Sequence, residues 1–285
     1  MPRASFPAWQ PHPDVWLVVG LLVAAYAVAV ARVGPKHVRA GEAVVTRFQI
    51  ACFGAGALAI LIASDYPIHD LAEHYLFSIH MVQHLTYSLV AAPLLLLGTP
   101  AWMARALLSP PGFYRAMRWV ARFFPATILF NAVVVFIHVP AVVDVALRYG
   151  IVHFGVHTLV LLSSIIVWTP ILSPLPEVPR LYPPMGMLFL FLQGVIPTVP
   201  ASFLTFGSRP LYHVYATFPR LWGVSALTDM QVSGLIMKIG AGLLIWGVIT
   251  IVFFRWIKRE EIDSGPLSTS RELDRELVRL GMTQP

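Results

Sequence analysis

The feature that most constrains this chain is the recurrence of long apolar runs separated by short polar segments. An apolar stretch of roughly 20 residues is long enough to cross a bilayer as a helix, which satisfies its own backbone hydrogen bonds there. Seven such runs cover residues 14–31, 48–63, 75–97, 126–145, 151–171, 185–206 and 230–254. The sequence therefore predicts an all-α integral membrane protein, a seven-transmembrane helix bundle. A segment 1–13 precedes the membrane domain 14–254, and a charged tail 255–285 follows it. Residues 27–29 resemble a signal-peptidase site, but the run around them is long and Arg3 is the only charge before Asp14, so an uncleaved first helix is expected.

Basic residues set the orientation. With the 32–47 loop in the cytoplasm, fifteen Lys and Arg fall on the cytoplasmic side and four outside, with Lys238 inside the bilayer. That asymmetry places the amino terminus outside and the carboxyl terminus in the cytoplasm. The net charge of +6 thus reports topology and gives no reason to expect nucleic acid as a partner. The partner these runs require is the lipid bilayer. The loop 105–122, with four arginines, reads as a surface-lying amphipathic segment, and 267–280 as a short surface helix. Gly54 and Gly56 suggest close packing of the second helix. Pro197 and Pro200 suggest a kink over a cavity in the sixth.

Within this frame the histidines stand out. His80 and His84 lie one turn apart in the third run, and His153 and His157 repeat that spacing in the fifth, so each pair projects from one helix face. Both runs enter from outside. At 1.5 Å per residue His80 and His84 lie roughly 7 and 14 Å below the mouth, and the second pair within roughly 10 Å of it. Nine of the ten histidines fall in the outer half or outside, His37 alone on the cytoplasmic side. Ionisable groups at membrane depth are costly and mark sites. Neutral imidazoles suit copper, zinc and haem iron.

The four paired histidines are read as a metal site. Further ligands or orienting groups are sought among His74, His138, Met81, Asp65, Asp229, Met230, Gln231 and Met237. For each there is a plainer role. His138 and His213 fit an interhelical hydrogen bond better than a ligand role. His69 and His74 are equally well read as solvated loop residues. Met81 points about 100° away from the His80/His84 face. Lys238 is expected to snorkel or to pair with Asp229. Cys52 is the only cysteine, so disulfide, thiolate-zinc and CxxC chemistry are excluded. No HExxH, phosphate-binding glycine loop or paired intramembrane carboxylate is present, and no enzymatic activity is expected.

Four stretches carry a family resemblance. They are HMVQH at 80–84 continuing to Pro100, HFGVH at 153–157 with Trp168-Thr169-Pro170-Ile171, PTVPASFLTF at 197–206, and Asp229-Met230-Gln231-Val232-Ser233-Gly234-Leu235-Ile236-Met237. Together, over residues 45–257, they resemble the CtaG family of caa(3)-type cytochrome c oxidase assembly factors. Met230 stands where that family's pattern has a glutamine. The resemblance implies a multi-pass protein of the bacterial plasma (inner) membrane that acts in respiratory chain biogenesis. It implies a metallochaperone that takes Cu(I) from a periplasmic copper carrier and delivers it to cytochrome c oxidase subunits. Three other readings stay open at this stage. One is a b-type haem electron carrier, with His80 and His157 axial. The others are a metal-free assembly scaffold and, ranked last, a copper permease.

Overall fold

The computed structural model describes residues 6–178, 180–263 and 266–282. Arg3, counted above, and the rest of the first five residues lie outside this range. The helices are α1 (Pro13–Lys36), α2 (Arg47–Ser64), α3 (Ile68–His74), α4 (Phe77–Gly98), α5 (Ala101–Leu107), α6 (Pro111–Val120), α7 (Phe123–Ile137), α8 (Pro140–Arg148), α9 (Gly150–Leu172), α10 (Pro183–Phe206), α11 (His213–Thr217), α12 (Ala226–Ile262) and α13 (Pro266–Arg279). No strand occurs among the described residues. Six helices are long and apolar enough to cross a membrane. A seventh span is reached if α6 and α7, bent by 86° at their junction, are taken as one.

The fourth apolar run differs from its expected course. Expected to be continuous over 126–145, it breaks after Ile137 and resumes at Pro140. Proline has no N–H for the preceding turn and disfavours helical backbone at Val139. The break leaves His138 at a helix end, where Tyr212 Oη donates to its carbonyl at 3.0 Å. The 64–74 segment, which holds His69 and His74 and lies between two apolar runs, contains α3 and is not simply a loop. The last span begins earlier and ends later than its apolar stretch, because Ser225 caps it by accepting from Thr228 N–H and charge alone does not end a helix. Gly54 faces open space. The close approach of α2 and α4 is made at Gly56 and Gly98, where a Cβ on Gly98 would sit 2.5 Å from the Phe53 nitrogen.

α4 is not a uniform α-helix. Residues Thr86–Ala91 form a wider π turn. Ala92 N–H bonds to Tyr87 O, five residues back, so it does not take the Ser88 carbonyl. Pro93, next in line, has no N–H to offer. The indole of Trp168 on α9 donates to that free carbonyl at 2.7 Å. One turn away, Gln83 donates to Ala63 O at 2.6 Å, and Tyr87 Oη pairs with Ser64 Oγ at 2.8 Å. α4 is thereby held against α9 on one side and α2 on the other.

α12 packs on α10 through Gly234, where an added Cβ would lie 2.7 Å from the Ala201 carbonyl oxygen. Gly234→Ala is expected to lower the melting temperature of the purified protein, overpacking of this kind costing about 1–3 kcal/mol. An unchanged melting curve would show that the pair can separate freely. Asp229, at the start of α12, accepts from the backbone N–H groups of Phe77 (2.7 Å) and Ser78 (3.1 Å). It thus serves as the N-terminal cap of α4, supplied by another helix.

Contacts sort the connecting segments into two ends. At one end His12 reaches Asp70, Trp16 reaches Asp65, and Tyr215 Oη donates to Ala72 O. At the other, Trp102 donates to Val44 O, Arg105 pairs with Glu177 at 2.8 Å, and Tyr182 lies against Trp256. The amphipathic α6 buries no residue, as expected of a surface helix.

Candidate metal centre

The two histidine pairs meet. α4 and α9 present them to each other with ring centroids of 4.3 Å for His80–His84 and 4.2 Å for His153–His157. Across the helices the spacings are 5.4 Å for His80–His157, 5.2 Å for His84–His157 and 5.6 Å for His80–His153. His80, His84 and His157 each offer a nitrogen within 4.8 Å of the others. Three imidazoles around one ion at ~2.0 Å stand ~3.5 Å apart. Side-chain rotation of about an ångström therefore closes the trio on an ion.

A neutral imidazole has one donor and one acceptor to satisfy. Neither nitrogen of His84 has a partner, and Nδ1 of His80 and Nε2 of His157 are likewise orphaned. His80 and His84 are buried, at 6% and 7% exposure. Leaving such groups unpaired costs roughly 1–3 kcal/mol each. Helix–helix hydrogen bonding, the plainer role for these rings, is not what they do. A bound cation would draw on the nitrogen lone pairs left over here.

His138 is split between the two roles. Its Nδ1–H donates to Val134 O at 2.7 Å, one turn back on its own helix and not across to a neighbouring helix as expected. That fixes Nε2 as the lone-pair nitrogen, and it too is buried without a partner, on a ring 6.3 Å from His84. A backbone carbonyl on the far nitrogen is the usual arrangement behind a metal-bound histidine.

His153 sits differently. Its Nε2 lies 2.9 Å from Glu73 Oε1, which is also 3.2 Å from His69 Nε2. His69 is therefore part of a cluster rather than a solvated loop residue. Burial pushes the His69 imidazole below its ordinary range against the pull of Glu73. Burial pushes the Glu73 carboxyl up, but the imidazoles of His153, His69 and His74 outweigh it and hold it below the usual range. Glu73 is the residue that sequence reasoning missed. His69 and Glu73 share the one-turn spacing of the other pairs, and that spacing is the signal that could have found it. His12 extends the series, its ring 4.8 Å from His69 and its Nε2 3.0 Å from Asp70.

The other residues considered as ligands are occupied elsewhere. Asp65 accepts from Trp16 Nε1 and Tyr66 N–H, and Asp229 caps α4. Met230 Sδ accepts from Leu211 N–H at 3.1 Å, and Gln231 donates to Gly207 O at 3.3 Å. Met81 and Met237 join Met230 in an apolar cluster with Phe77, Tyr212 and Tyr215. His74 and His213 are exposed. Lys238 lies over the Phe206 ring at 4.4 Å rather than beside Asp229. Beneath His84 and His138 a cavity lined mostly by apolar side chains reaches toward Trp168 and Phe189. Pro197, at the break in α10, lines it, as the prolines suggested.

Fold and site define a class, a multi-pass membrane protein whose helices enclose a histidine centre near one end of the bundle. The sequence profile of the cytochrome c oxidase caa3 assembly factors (Caa3_CtaG) matches residues 24–259, and the chain belongs to that family. No match was found among curated proteins or solved structures.

Proposed function

We propose that this assembly factor is a non-enzymatic metallochaperone that holds Cu(I) at His80, His84 and His157 and passes it to the copper centre of the oxidase. The observation that supports this most directly is the set of orphaned nitrogens converging from α4 and α9. The donor set favours the monovalent ion. Three neutral imidazoles bring no charge to offset a buried cation, and burying one charge costs far less than burying two. His153, between the trio and the outer end, is the ring through which the ion arrives or leaves, and His138 receives it on the cavity side.

The two-ended contact pattern and the charge asymmetry support seven crossings, with α7 as the fourth. They also support an outer amino terminus and a cytoplasmic carboxyl terminus in a bacterial plasma membrane. The trio then opens toward the periplasm, where a copper carrier would meet it. Donors thin out in the opposite direction, with Ser88, Ser163 and Gln193 the polar side chains lining the inner cavity beyond His84 and His138, which disfavours a permease.

Metal analysis and an optical spectrum of detergent-purified protein test the reading. Copper near one equivalent in the wild type, lost in His80→Ala/His84→Ala, is the expected result. A Soret band would replace copper with haem. Protein free of both after copper loading would leave a scaffold.

A further inference from the structure

We infer that His69, Glu73 and His153 form a second metal site at the outer end of the bundle, and that it takes a divalent cation of the zinc and copper(II) class. The assignment stands whether or not the deeper trio holds copper.

The three donor atoms lie within 4.8 Å of one another, as close as those of the inner trio. They come from α3 and α9, and their geometry is that of ligands rather than of a finished hydrogen-bonded network. Glu73 Oε1 is 2.9 Å from His153 Nε2, yet that nitrogen has no aligned hydrogen-bond partner, so oxygen and nitrogen face a shared space. The far nitrogen of His69, Nδ1, is also buried without a partner. α3 is not free to swing away. Leu71 and Ala72 are buried, and Tyr215 holds the Ala72 carbonyl at 2.8 Å.

Two differences from the inner trio set the ion type. The first is charge, because Glu73 brings one negative charge, which a divalent cation needs and a monovalent one does not. Two histidines and one glutamate are also the protein ligands of a well-known class of zinc site, which keeps a fourth position open. The second is access. The side chains of His69 and Glu73 are 19% and 23% exposed, whereas His153 is 7% exposed. The cluster lies at the boundary between outer solvent and the buried rings, with the segment around His12 above it. His153 belongs to this trio and stands one helical turn from His157 of the other, so the two sites share a helix face.

Zinc titration of the full-length protein in detergent, with zinc retained after desalting as readout, tests the assignment. Wild type should retain one zinc. Glu73→Gln keeps the shape and removes the charge, and should bind at least about tenfold more weakly. His84→Ala should bind zinc as wild type does. Cu(I) loading under reducing conditions should give the opposite pattern, lost in His84→Ala and kept in Glu73→Gln. His69→Ala serves as the second variant if Glu73→Gln does not purify folded. Wild-type zinc affinity in the folded Glu73 or His69 variant, or no zinc in the wild type, overturns the site. Loss of Cu(I) binding in every protein with zinc intact would instead overturn the copper reading and leave this one standing.

Discussion

Cells carrying His84→Leu in place of the wild-type gene are expected to lose caa3-type oxidase activity by at least about tenfold while keeping normal amounts of the assembly factor in the membrane. The two halves of this expectation have separate causes. His84 is buried with both nitrogens unpaired, so in the metal-free protein it opposes folding. Leucine fills much of the same space and removes two unsatisfied polar atoms. The purified variant should melt at or above the wild-type temperature. The same ring is the most central of the trio, 4.3 Å from His80 and 5.2 Å from His157, and its removal leaves two nitrogens where three met. Stability retained with function lost is the signature of a site maintained at the expense of packing. Stability and oxidase activity falling together would return His84 to a packing role. Unchanged oxidase activity would remove the trio from the assembly step.

Asp229→Ala is expected to do the reverse, unfolding the site without touching a ligand. The carboxylate is 2% exposed and accepts from the first two backbone N–H groups of α4, where the positive end of the helix dipole also favours it. Removing it strands two buried donors, at a cost of roughly 1–3 kcal/mol each. It also frees the turn that carries His80 to shift. The melting temperature should drop by many degrees, and copper retention should fall with it. Asp229→Asn keeps one accepting oxygen and should lie between. A wild-type melting curve for Asp229→Ala would show that water or another group caps α4 instead.

Six of the spans were readable from the sequence because each needs a continuous apolar run, and a run survives in one dimension; the fourth run was not, since it breaks at His138 and Val139. The four paired histidines were readable because one-turn spacing on a helix fixes a shared face regardless of tertiary context. The start of α4 was not readable. Its cap comes from Asp229, 152 residues away, and nothing local to Phe77 announces it. That residue drew attention as a possible orienting group for the rings, and its actual partner is backbone. Glu73 was missed for a related reason. Seven residues between Pro67 and Tyr75 look like a polar connection, and only the buried contact of Leu71 and Ala72 makes them a helix that turns Glu73 inward. The role of Trp168 was not readable either, since it depends on the carbonyl freed by a π turn and a proline on another helix.

The neighbouring position of His153 and His157, 4.2 Å apart on one helix face, has a consequence for traffic. With Glu73 offsetting one charge of the divalent ion, each filled site carries a net charge of about +1, and two such charges held ~5 Å apart at an effective dielectric near 20 repel by about 3 kcal/mol. Both stations filled at once would therefore weaken each other's hold by about two orders of magnitude. An ion arriving at the outer trio would expel the one already below it, and an idle protein with a single ion would keep it. Supply at the mouth, rather than demand from the oxidase, would then set the moment of release.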